Sequence, residues 1–126
     1  MEILKNCNII IDIELIENIT GSNQYFEVVF SNQNKEKYKM VFDFVWDMRY
    51  SIENGYIDRI SKFVQGWKQE SGVFLIENSK YIEYFESQVS GTLPTDNIKD
   101  YLIVDKTDTI LEILTNKEPV LFKIDS

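Results

Sequence analysis

The chain of 126 residues has no histidine, no alanine and one cysteine, Cys7. Without histidine there is no Ser–His or Cys–His dyad, no imidazole base and no histidine ligand for a metal. A single cysteine makes neither a disulfide within the chain nor a cysteine zinc site. The five glycines stand apart at positions 21, 55, 66, 72 and 91, so no glycine-rich loop is available to cradle a phosphate. Apolar runs are short, far below the roughly 20 residues of a membrane-spanning helix. The opening Met1-Glu2-Ile3-Leu4-Lys5-Asn6 lacks the basic and apolar regions of a secretory signal. Bases are outnumbered, 13 against 21 acids, for a net charge of −8. That sign repels phosphate backbones and argues against direct nucleic-acid binding.

What is present is enough for a core. Apolar residues make up 44% of the chain, which excludes a disordered composition. The length suits one domain, residues 1–126. A lone thiol fits a reducing cytoplasm. Lysine far outnumbers arginine, which occurs only as Arg49 and Arg59, and isoleucine and asparagine are frequent. This usage is that of an AT-rich bacterial or phage coding sequence.

Alternation of apolar and polar residues predicts strands over 8–16, 25–30 and 38–44, joined by polar turns at 20–23 and 31–36. The period then changes. Met48, Ile52, Tyr56, Ile60, Phe63, Val64 and Trp67 recur every three or four residues, the spacing of an amphipathic helix over 47–65 capped by Asp47. Asn54-Gly55 interrupts it and allows two shorter helices instead. A buried strand at 73–76 follows, then a helix from a cap at Asn78 or Ser79 to about Val89, ended by Gly91. Strands at about 100–105, 109–114 and 119–124 complete the chain. The expected class is α+β, order βββ-α-β-α-βββ, a mostly antiparallel sheet with two helices on one face.

Few groups are placed to do chemistry. Asp12 and Glu14 share a strand face about 7 Å apart by strand rise, within the range of glycosidase carboxylates, but a solvated strand face explains them. Asp43 and Asp47 suit capping and the helix dipole. Asp105, Asp108 and Glu112 lack the glycine and alternating acids of a calcium loop. No metal, cofactor or catalytic residue is expected. Arg49 and Glu53, four residues apart on the apolar side of the first helix, predict an internal ion pair, with Arg59 near the same stripe. Tyr84 lies off the inward stripe of the second helix, beside Lys80, Glu83, Ser87 and Gln88. An exposed tyrosine of this kind suits a protein interface. The acids Asp96, Asp100, Asp105, Asp108 and Glu112 form a run that complements a basic partner. The expected partner-binding residues are therefore Glu83, Tyr84, Asp100, Asp105 and Asp108.

The passage Phe42-Asp43-Phe44-Val45-Trp46-Asp47-Met48-Arg49-Tyr50, and the stretch from Tyr101-Leu102-Ile103-Val104-Asp105 to Glu118-Pro119, lie in a short, acidic, histidine-free chain. In this organisation the chain resembles the small immunity proteins of bacterial polymorphic-toxin systems. The resemblance implies a cytoplasmic, non-enzymatic protein that binds and blocks one cognate toxin; the acidic charge makes a basic partner, such as a nuclease, the expected one. The resemblance carries over no functional residue, because such interfaces vary with the toxin. Two rival readings stand beside it: a phage inhibitor of a nucleic-acid-handling host defence complex, and an enzyme or small-ligand binder with a cleft between helices and sheet.

Overall fold

The computed structural model describes residues 1–52, 56, 59, 62, 63, 71–89, 91, 92 and 96–124. Among them the chain forms β1 (Ile3–Asn6), β2 (Leu15–Ser22), β3 (Tyr25–Ser31), β4 (Lys37–Phe42), β5 (Asp47–Ile52), β6 (Gly72–Glu77), α1 (Lys80–Val89), β7 (Lys99–Val104), β8 (Thr109–Thr115) and β9 (Val120–Ile124). The strands build two antiparallel sheets. One has the order β1-β6-β7-β8-β5, the other β2-β3-β4-β9.

The alternation of side chains decides how the sheets meet. Val28 and Phe30 of β3, with Met40 and Phe42 of β4, point to one face of the four-stranded sheet. They pack on Val73, Tyr101, Ile103, Leu111 and Ile113 from one face of the five-stranded sheet. The opposite face carries Ile76, Leu102, Val104 and Ile110, which pack with Tyr56 and Phe63. Strands β7 and β8 are thus buried on both faces, and they read as near-continuous apolar runs for that reason. Helix α1 lies by the same end of this second face. It is capped by Ser79, whose Oγ accepts the Ile82 N–H at 3.0 Å.

The expected βββ-α-β-α-βββ order is corrected in two places. Residues 47–52 form strand β5, not the start of a helix, and pair with β8 over six rungs from Asp47↔Leu114 to Ile52↔Thr109. Met48 and Ile52 are four apart, a spacing common to a helix face and a strand face. Tyr50, between them, belongs to the strand pattern alone. The remainder of the helix expected over 47–65, with Asn54-Gly55 and Glu53, lies largely outside the described residues. Apart from the helical residue Arg59, the described helix is α1 alone, and the expected α+β layout of one sheet with two helices on one face gives way to a mostly β structure of two packed antiparallel sheets.

The other correction concerns 8–16. Ile9, Ile11 and Ile13 do turn inward, and Ile13 is wholly buried. Residues 8–14 nonetheless join no ladder. They cross from one sheet to the other, with the Ile13 N–H donated to Ser71 Oγ and the Glu14 N–H to the Ser31 carbonyl. Alternation therefore reports burial here without strand pairing. The actual β2 starts at Leu15 and runs through the expected turn cluster. The chain reverses at Asn23 and Gln24, whose positive φ of 52° and 73° make the type I′ corner of the β2–β3 hairpin.

Candidate functional site

The centre of the site is a charge placed where none is expected. Glu112 stands in the apolar run Ile110-Leu111-Glu112-Ile113-Leu114 of β8 and is fully buried. Alternation turns it to the face that Tyr56 and Phe63 cover, away from the inter-sheet core. Asp100 lies two rungs away on β7, on the same face and equally buried. A buried carboxylate needs a partner, and Arg59 supplies it. The guanidinium donates to Glu112 Oε1, to Asp100 Oδ2 at 3.4 Å, and by a fork to Glu2 at 3.0 and 2.7 Å. Tyr56 Oη adds a hydrogen bond to Glu112 at 3.0 Å, and Ser79 Oγ one to Asp100 at 2.6 Å.

Three acids thus converge on one arginine, and the protonation states adjust. Burial raises Asp100 well above the ordinary aspartate value, and its hydrogen bond with Glu112 raises it further. Asp100 Oδ1 and Glu112 Oε2 have no other partner among the described residues. A proton on Asp100 would supply the donor that these two oxygens lack. For Glu2, burial works upward, but the Arg59 hydrogen bond and the Lys80 N–H outweigh it and leave the carboxyl below its usual value. Burial and the Glu112 charge both push the Tyr56 hydroxyl up.

Two open clefts flank this network. The first, of about 570 Å³, is lined by Arg49, Arg59, Lys62 and Lys80 together with Glu2, Tyr81 and Tyr84. The second, of about 360 Å³, lies between Arg49, Tyr50, Tyr56 and Arg59. Both arginines of the chain and four of its seven tyrosines therefore border one region. Arg49 projects from β5 opposite Glu112 in the ladder. Its guanidinium lies 3.7 Å from the centre of the Tyr81 ring and 5.8 Å from that of Tyr84. Tyr81 is held in turn by a 2.8 Å hydrogen bond to Asp47, and burial followed by that bond raises its hydroxyl. β5 is the outer strand of its sheet, and Tyr50, Ile52 and Tyr84 are 63%, 58% and 55% exposed. No family model, curated protein or solved structure matches the chain.

The expected site residues fall into three groups. Glu83 and Tyr84 are exposed on α1. Asp108 is exposed too, but it sits at the β7–β8 turn, at the end of those strands remote from Ser79 and α1. Asp100 and Asp105 are buried and present no charge to a partner, which corrects their expected place on an acidic surface. Asp105 builds its own turn: Oδ1 accepts the N–H groups of Thr107 and Thr109, each at 2.9 Å, and Oδ2 accepts the Ile16 N–H at 3.0 Å. Such an acid closes a hairpin and ties the two sheets together. Asp12 and Glu14 share Lys106, at 3.2 and 3.5 Å, as a solvated pair would.

The expected internal ion pair involved Arg49 and Glu53. Glu53 lies outside the described residues, and Arg49 makes no ion pair among them. Among the described residues the internal ion pairs are those of Arg59. One signal for it was in the sequence: a single acid amid the apolar residues of 110–114 requires a cation, and only two arginines were available.

Proposed function

We propose that this protein is a cytoplasmic, non-enzymatic binding protein of the immunity type, which blocks a basic partner by covering it. One observation carries the reading: Arg49, Tyr50, Ile52 and Tyr84 are exposed around one outer strand and its neighbouring helix. Tyrosine and arginine are the residues enriched where protein interfaces hold their binding energy. The outer strand holds two of these anchors, and Arg49 is stacked on Tyr81 before any partner arrives. The net charge of −8 favours encounter with a basic protein, in one form a nuclease. No helix among the described residues is long and apolar enough to cross a membrane.

A photo-crosslinking side chain at position 50 or 84, introduced in the cell of origin, tests the reading. The captured protein is then purified and its activity titrated with this one. The expected result is stoichiometric inhibition. Tyr84→Ala should speed dissociation by roughly 30-fold, equivalent to about 2 kcal/mol, with little change in association rate. Inhibition and dissociation rates unaffected by both Tyr50→Ala and Tyr84→Ala would overturn the reading.

A further inference from the structure

Among the described residues Arg49 is a cation whose role the fold leaves open. Arg59 is matched by Glu2, Asp100 and Glu112. Arg49 has no acid or hydrogen-bond acceptor among the described residues, yet its position is well defined, because its flat guanidinium lies against Tyr81. A guanidinium held by its face keeps the donors at its edge available for a carboxylate or phosphate. The same cleft already holds one carboxylate of the chain. Glu2 receives the Arg59 fork and, at 3.0 Å, the Lys80 N–H at the start of α1. Lys62 and Lys80 add positive charge to the lining. Among the described residues Glu2 is the one acid that lines it. Asp100 and Glu112 lie behind Arg59 in the core, and Asp47 is engaged by Tyr81. The tyrosine rings give the cleft apolar walls, and its volume of about 570 Å³ is that of a small-ligand site.

We infer that this cleft binds a small molecule in which a carboxylate or phosphate is carried on an apolar or aromatic body. The anion sits on the edge of Arg49 with support from Lys80, and the body lies along Tyr84. The lysines raise the local concentration of anions that the chain as a whole repels. The cleft shares Arg49 and Tyr84 with the face proposed for a partner, so a bound partner and the small molecule would compete; the two readings fail separately, because the titration uses the free protein and the crosslinking uses no added ligand.

The test uses four probes: phenyl phosphate, benzoate, inorganic phosphate and uncharged benzyl alcohol. Each is titrated into the 126-residue chain at low chloride and followed by amide NMR shifts. At least one aromatic anion should move the amides of Arg49 and of the first turn of α1 with saturation. The alcohol should not, and inorganic phosphate should bind more weakly than phenyl phosphate. Comparison of the two aromatic anions tells which head group the site prefers. Arg49→Gln should weaken binding about tenfold or more, because a charge-assisted fork is lost. Arg49→Lys, which keeps charge without the fork, should recover only part. Thermal unfolding of each variant is followed alongside, and Lys80→Gln, with a smaller loss expected, replaces any Arg49 variant that fails to fold. Absence of shifts up to millimolar anion, shifts centred elsewhere, or equal affinity in the folded variants would overturn the site.

Discussion

Asp100 and Glu112 face each other inside the protein with one arginine between them and Glu2, and the two ends of this network respond to pH in opposite ways. Glu2 titrates below its ordinary value when folded. The folded state therefore gains stability from it above the unfolded pKa and loses it as pH falls through the folded one. Asp100 titrates well above its ordinary value, burial first and Glu112 second. Its contribution is fully present below the unfolded pKa and is lost as pH rises through the folded one. Asp100→Asn removes the proton but keeps the shape, and its amide can donate to Glu112 while its oxygen accepts from Ser79. The denaturant midpoint of the native protein should decline as pH rises above the normal carboxylate range. That decline should be flattened in Asp100→Asn, which should be as stable or more so at neutral pH. Glu112→Ala should instead cost about 1–3 kcal/mol, because it leaves the Tyr56 hydroxyl and one edge of the Arg59 guanidinium without their acceptor. A parallel alkaline decline in Asp100→Asn would show that another group titrates. The sequence placed Asp100 on an acidic surface because acids normally sit there. The exception depends on Arg59 and Ser79, which are 41 and 21 positions away and join it only in the fold.

At the scale of elements, the β2–β3 hairpin shows both what local sequence carries and what it hides. Gln24 occupies a left-handed corner at φ 73°, a conformation natural to glycine. Gln24→Gly should raise stability by about 0.5–1 kcal/mol, read as a shift in denaturant midpoint, since the strain of roughly 1–2 kcal/mol is relieved at some loss of chain entropy. Gly21 behaves in the opposite sense. It faces Phe26 across the ladder, and a Cβ built on it would lie 2.3 Å from that ring and 2.7 Å from the Tyr25 carbonyl. Gly21→Ala should cost about 1–3 kcal/mol by overpacking. The cluster 20–23 was legible as a turn from its composition, but the reversal came later because Gly21 serves to admit an aromatic ring. Strands 25–30, 38–44, 73–76 and the last three are legible nearly in place, since each alternates against one layer or runs apolar between two. Strand β5 was missed because Met48 and Ile52 fit both periods, and its pairing with Glu112 and Leu114 is a long-range fact. β1, of four residues, carries too little pattern to be seen.

On the scale of the whole molecule, the question is whether the two sheets melt as one. The core joins them through Phe30, which is wholly buried, stacks on Tyr38 at 5.7 Å between ring centres, and belongs to the cluster shared with Ile103 and Leu111. Further ties run between the layers without apolar contact, through Asp105 to Ile16 and through Thr115 to the Phe44 carbonyl. A five-stranded sheet lacking its partner would expose Val73, Ile103, Leu111 and Ile113 to water, at about 1.5–3 kcal/mol each. It should therefore not persist alone. Phe30→Ala, confined by position to the four-stranded sheet, should destabilise the protein by about 3–5 kcal/mol. The same loss should appear in both layers. Trp46 reports on the other sheet, for its backbone N–H donates to the Leu114 carbonyl and its ring packs on Phe44 and Phe85. In a Trp67→Phe background its fluorescence can be followed beside far-ultraviolet circular dichroism. Coincident transitions that move together to lower denaturant in Phe30→Ala are the expected result. A fluorescence midpoint that stayed in place while the dichroism midpoint fell would mean that the five-stranded sheet stands without its neighbour. The Arg59 network and the cleft beside it would then owe nothing to the inter-sheet core.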